Sequence, residues 1–147
     1  MLVELLVACC LLGVTVILHA SGFVLLLRRL GASPAWLDSR FVGVTSLLVV
    51  VAWALLGLHL LEIALWAVFY WWAGCLPDLE TSFYFSGVTY ATLGYGEVVL
   101  TRDWRLLGPL EGLVGIIMCG LSVSFFFVIV SKVVFARAEN RRTTPQP

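Results

Sequence analysis

Three long apolar runs divide the chain: Leu2–Leu27, Phe41–Trp72 and Leu110–Val134. A membrane-spanning helix needs roughly 20 apolar residues, and each run is long enough. The second would reach about 48 Å as a helix, against a hydrocarbon core of about 30 Å. It is too short for two spans, so it predicts one tilted helix that projects past the core. Its end carries Trp66, Phe69, Tyr70, Trp71 and Trp72, the aromatic belt of a membrane interface. Gly74 and Pro77 then break the helix, and Asp78 is placed to cap a short helix over residues 79–91. That helix cannot cross a bilayer; it must go part way and return. Non-helical backbone at membrane depth survives only when buried in protein or lining water, which falls to residues 92–97. The pattern predicts an all-α integral membrane protein of three transmembrane helices plus a re-entrant helix and loop.

Composition agrees with the pattern. Of the 147 residues 61% are hydrophobic and 12% charged, with a mean hydropathy of +1.03. Soluble domains carry about 25% charged residues, so the bilayer is the expected solvent. The formal net charge is zero, which gives no basic field for nucleic acid. The first run lacks a basic leader, carries only Glu4, and is too long for a cleaved signal peptide. Arg28, Arg29 and Arg40 follow it, and Lys132, Arg137, Arg141 and Arg142 follow the third run. The positive-inside rule puts both clusters in the cytoplasm, with the N-terminus outside and the C-terminus inside. Of the four cysteines, Cys9, Cys10 and Cys119 fall within spans and Cys75 near the outer surface; no metal-ligand spacing links them.

Between the second and third runs lies Thr89-Tyr90-Ala91-Thr92-Leu93-Gly94-Tyr95-Gly96, followed by Glu97. This octet resembles the selectivity-filter signature of the potassium-channel pore-domain family, Thr-x-x-Thr-x-Gly-Tyr-Gly followed by an acid. The resemblance covers residues 41–135, with Leu93 where Val is common. It implies a small channel of the prokaryotic type with one additional N-terminal span. Main-chain carbonyls of Thr92, Leu93, Gly94 and Tyr95, the Thr92 hydroxyl and the Gly96 backbone would replace the hydration shell of K+. Pointing successive carbonyls one way requires positive φ at alternate residues, and Gly94 and Gly96 sit at such positions. The resemblance also implies that Leu93 and Tyr95 pack against Tyr84 and Phe85, that Glu97 rings the outer mouth, and that four copies form a homotetramer.

His19, His59 and Glu62 are polar residues inside spans, where a charge costs at least about 2.5–3.5 kcal/mol. Helical rise places Glu62 about 15 Å and His19 about 13 Å from the nearer interface, both near mid-membrane. Glu62 is expected to support the short helix from behind through Ser86, Thr89, Tyr90 or a histidine. A hydrogen-bonded core role and a metal or proton site are the other readings of this trio. In the third run Gly120 is a candidate hinge or a packing position, and Ser122, Ser124 and Ser131 face either a water-filled path or their own helix.

The expected organisation is an N-terminal span and cytoplasmic loop (1–40), a pore domain (41–135) and a short, disordered cytoplasmic tail (136–147). Within the pore domain fall an outer helix (41–72), pore helix (79–91), filter (92–97) and inner helix (109–135). The expected function is passive, potassium-selective conduction in the cell membrane. No enzymatic activity and no cofactor are expected; K+ is the permeant ion, membrane lipid surrounds the protein, and an unseen regulatory subunit is a candidate partner. A weakly selective cation channel and a non-conducting accessory subunit are the alternatives.

Overall fold

The computed structural model describes residues 2–31 and 41–143. The turn and cap signals at Ser33-Pro34 and Asp38-Ser39, and residues 144–147, lie outside the described residues. Four helices follow one another: α1 (Leu2–Gly31), α2 (Phe41–Trp72), α3 (Leu79–Tyr90) and α4 (Leu107–Thr143). No strand occurs among the described residues. Leu2–Leu30, Gly43–Trp72 and Leu107–Phe135 are each long and apolar enough to cross a membrane. The protein is an all-α, multi-pass membrane protein.

Buried positions on α2 recur as Val51, Leu55, Leu58, Glu62, Trp66 and Tyr70, a stripe at steps of three and four. The rest of that helix is also apolar, with Trp53, Leu61 and Trp72 exposed. A helix hydrophobic on every side needs lipid or more protein around it. On α1 the buried face runs through Glu4, Ala8, Thr15 and His19. Trp66 donates its indole N–H to Thr15 Oγ1 at 3.2 Å, which fixes α1 against α2.

The apolar core has two parts. One, around Trp66, Tyr70, Phe85, Leu107, Val114 and Met118, packs α3 between α2 and α4. The other joins α2 to the far half of α4 through Leu47, Val51, Leu55, Ile129 and Val133.

Helix α2 ends where glycine permits a left-handed turn. Gly74 has φ +66°. Its N–H bonds to Trp71 O at 3.1 Å and that of Cys75 to Tyr70 O at 2.9 Å, the paired bonds of a Schellman motif. Asp78 then caps α3: one carboxylate oxygen accepts from the Thr81 N–H at 2.7 Å and the other from the Thr81 hydroxyl at 2.9 Å. These bonds hold the Asp78 carboxyl below its ordinary pKa.

Helix α4 differs from the sequence expectation at its end. It continues past residue 135 to Thr143, where a disordered tail is predicted. Residues 136–142 read Ala-Arg-Ala-Glu-Asn-Arg-Arg, mostly good helix formers, and the next proline is Pro145.

Candidate functional site

The segment after α3 is set by the way that helix stops. Thr92 N–H bonds to Thr89 O and Leu93 N–H to Val88 O, both at 2.9 Å. This is the hydrogen-bond pattern that ends α2, but the left-handed position belongs to Thr92, at φ +60°. A β-branched residue seldom adopts that conformation, and holding it there costs about 1–3 kcal/mol. Gly94 and Gly96 follow with φ +57° and +90°. Left-handed backbone therefore recurs at every second residue from 92 to 96.

All residues from 91 to 97 are exposed in the single chain, including Leu93 and Tyr95. A concave surface of about 500 Å³ borders them; Tyr84, Thr89, Thr92, Gly96, Glu97 and Gly112 are among its walls. Tyr84 and Glu97 interact across it. Phe85 also borders it, and its ring meets Tyr70 edge-on with centroids 5.3 Å apart. Within one chain, then, Tyr84 and Phe85 both line the surface beside the 92–97 segment, and Phe85 also packs into the core.

Glycines on α4 let it approach the end of α3. A Cβ on Gly112 would lie 3.4 Å from the Thr89 carbonyl oxygen, and one on Gly115 would collide with the Tyr90 carbonyl. At Gly120 nothing lies within 4 Å of a would-be Cβ, and α4 runs on through it as helix. Ser124 bonds back to the Gly120 carbonyl at 2.9 Å.

Behind the segment, the structure gathers the three polar residues expected near one depth. Glu62 is completely buried. Its carboxylate meets His19 Nδ1 at 2.6 Å, the Tyr90 hydroxyl, and His59 Nδ1 at 3.5 Å. His59 Nδ1 also lies 2.9 Å from the Tyr90 hydroxyl, and His19 Nε2 lies 3.3 Å from Ser122 Oγ. One polar knot thus ties all four helices together, with Tyr90 at the last turn of α3. Of the partners considered for Glu62, Tyr90 and both histidines meet it; Ser86 and Thr89 do not. The ligand atoms of His19, His59 and Glu62 all lie within 4.8 Å of one another, a separation compatible with a shared metal ion.

Ser86 serves a second carboxylate that sequence reasoning passed over. Glu111, on α4, is also completely buried. It accepts from the Tyr70 hydroxyl at 2.7 Å and from Ser86 Oγ at 2.5 Å. An acid inside an apolar span is the signal that singled out Glu62, and it applies equally to Glu111. The nearby charges Arg102, Asp103 and Arg105 make Glu111 read as one more interfacial residue.

The arrangement can do three things. It can present consecutive carbonyls on one side of the 92–97 segment. It can anchor the helix that precedes them at two levels. It can bring two imidazoles and a carboxylate to one point.

No curated protein and no solved structure matches the chain. Residues 45–132, more than half of the chain, match the ion channel family, and the protein belongs to that family.

Proposed function

We propose that the protein is a potassium-selective channel, passing K+ down its electrochemical gradient through a cage of backbone carbonyls. The observation that carries this reading is the left-handed backbone at Thr92, Gly94 and Gly96. In a strand of uniform conformation, successive carbonyls point to opposite sides. Alternating the sign of φ turns them to one side, as a desolvated cation requires. One chain supplies one column of oxygens, so a closed cage takes four copies around an axis. The exposed 91–97 segment and the concave surface beside it are what neighbouring copies would cover.

In this reading residues 41–135 form the pore domain: α2 is the outer helix, α3 the re-entrant pore helix, residues 92–97 the filter and α4 the inner helix. The ligands are the carbonyls of Thr92, Leu93, Gly94 and Tyr95, with the Thr92 hydroxyl at the inner end and Gly96 completing the outer turn. Glu97 concentrates cations at the mouth. Arg28 and Arg29 in the last turn of α1, Arg40 after it and basic residues along the end of α4 favour an outer N-terminus, a cytoplasmic C-terminus and a filter entered from outside.

The test is ion flux into liposomes containing the purified full chain. The expected result is K+ uptake that is blocked by Ba2+ and far exceeds Na+ uptake. Gly94→Ala, which puts a side chain at φ +57°, is expected to abolish flux while the protein still inserts. Equal K+ and Na+ permeability would make it a weakly selective cation channel. Silence of well-inserted protein would make it an accessory subunit.

A further inference from the structure

The geometry points to a divalent transition-metal site, of the zinc class, formed by His19, His59, Glu62 and Tyr90 in the middle of the helix bundle. Zinc binds imidazole nitrogen and carboxylate oxygen at about 2.0–2.2 Å in a tetrahedron, which sets neighbouring donors about 3.3 Å apart. The donors here already stand near that spacing. Glu62 Oε1 is 2.6 Å from His19 Nδ1, Glu62 Oε2 is 3.5 Å from His59 Nδ1, and the Tyr90 hydroxyl is 2.9 Å from His59 Nδ1. Both histidines turn the same ring nitrogen, Nδ1, toward the carboxylate. Shifts of roughly 0.5–1 Å in these side chains would open a central position of tetrahedral size.

A second observation bears on the tautomer. A histidine bound through Nδ1 carries its proton on Nε2, and metal-bound histidines nearly always donate that proton onward. His19 Nε2 has Ser122 Oγ at 3.3 Å, from a different helix. The partner that ligation would call for is therefore in place. Two imidazole nitrogens and the Glu62 carboxylate supply three donors, and the Tyr90 hydroxyl stands within reach as a fourth. His59 keeps 16% of its side chain exposed and provides the route inward.

Tyr90 lies two residues before Thr92, so a bound metal would clamp the end of α3 to α1 and α2. An effect on permeation rests on the conduction proposed above; metal binding itself does not.

The test is Co2+ and Zn2+ titration of the purified full chain in detergent. Visible absorption would report Co2+ geometry, and calorimetry would report Zn2+ stoichiometry. The expected result is one tetrahedral site per chain, lost in His19→Gln and His59→Gln and weakened in Tyr90→Phe. Ser122→Ala removes no metal ligand, only the partner of His19 Nε2, and is expected to lower affinity about tenfold. It keeps the test decisive if a histidine variant fails to fold. No tetrahedral Co2+ spectrum, or affinity unchanged in both His59→Gln and Ser122→Ala, would overturn the site and leave the trio as a hydrogen-bonded network. Zn2+ binding without a change in K+ flux would overturn the link to permeation. A chain that binds Zn2+ but carries no flux at all would count against the proposed conduction alone.

Discussion

Glu62 and Glu111 are both fully buried, both accept from a tyrosine hydroxyl, and both hold α3 from behind. They differ in company. Glu111 sees Tyr70 and Ser86, partners that stay neutral near pH 7. Glu62 sees Tyr90 and two histidines, whose ring nitrogens could take a metal with it. Glu111 holds α3 through Ser86, a turn before its end, whereas Glu62 reaches its last residue. The contrast assigns anchoring to the first carboxylate and adjustability to the second. A buried group with unchanging partners fixes geometry; one whose partners could share a metal with it can move it.

The largest expected effect tests the anchor. Glu111→Ala strands the Tyr70 hydroxyl in the core, while Ser86 Oγ keeps the Ile63 carbonyl at 2.9 Å. An unsatisfied buried donor costs about 1–3 kcal/mol, so the assembled protein is expected to lose about 1–3 kcal/mol in thermal or denaturant melting. Loss below 1 kcal/mol would mean that water reaches Glu111 and that it anchors nothing. Next, a double-mutant cycle of Tyr70→Phe with Glu111→Gln is expected to give a coupling of about 1–2 kcal/mol. The matching cycle of Tyr90→Phe with Glu62→Gln should couple similarly in stability and, unlike the first, shift K+ flux. Equal flux responses from both pairs would erase the distinction.

A smaller effect belongs to the cap. Asp78 has its pKa held below the ordinary 3.8 by bonds from Thr81. A depressed carboxylate contributes stability that is present above its unfolded pKa and lost as pH falls through the folded one. The start of α3 should therefore loosen only below about pH 4. Hydrogen exchange at the first turn of α3 would show it, and Asp78→Asn should flatten the dependence. Smallest is the effect of Ser122→Ala without metal. The His19–Ser122 bond is long at 3.3 Å, so its removal should cost about 0.5 kcal/mol.

Much of this was legible before folding. Apolar run length gave three spans, Gly74 and Pro77 the stop, Asp78 the cap, and helical depth the level shared by His19 and Glu62. Gly94 and Gly96 marked two of the three left-handed positions, because glycine is where positive φ carries no steric penalty. The third was hidden. Thr92 occupies, at the end of α3, the place that Gly74 fills at the end of α2, and no local preference puts threonine there. The hydroxyl that the proposed cage uses is a reason to tolerate the strain. Glu111 was hidden because a charge near an interface reads the same in sequence whether it faces water or protein. The extra turns of α4 were hidden because polarity suggested disorder while helix propensity decided otherwise.

The contact at Gly115 has a mechanical consequence. With no room for even a methyl group between α4 and the Tyr90 carbonyl, α4 cannot twist there as a rigid rod without driving Val114 or Ile116 into α3. Any swing of this helix must pivot beyond that point. In the proposed channel the candidate pivot is Gly120, about 1.4 turns further along, where nothing lies within 4 Å of a would-be Cβ.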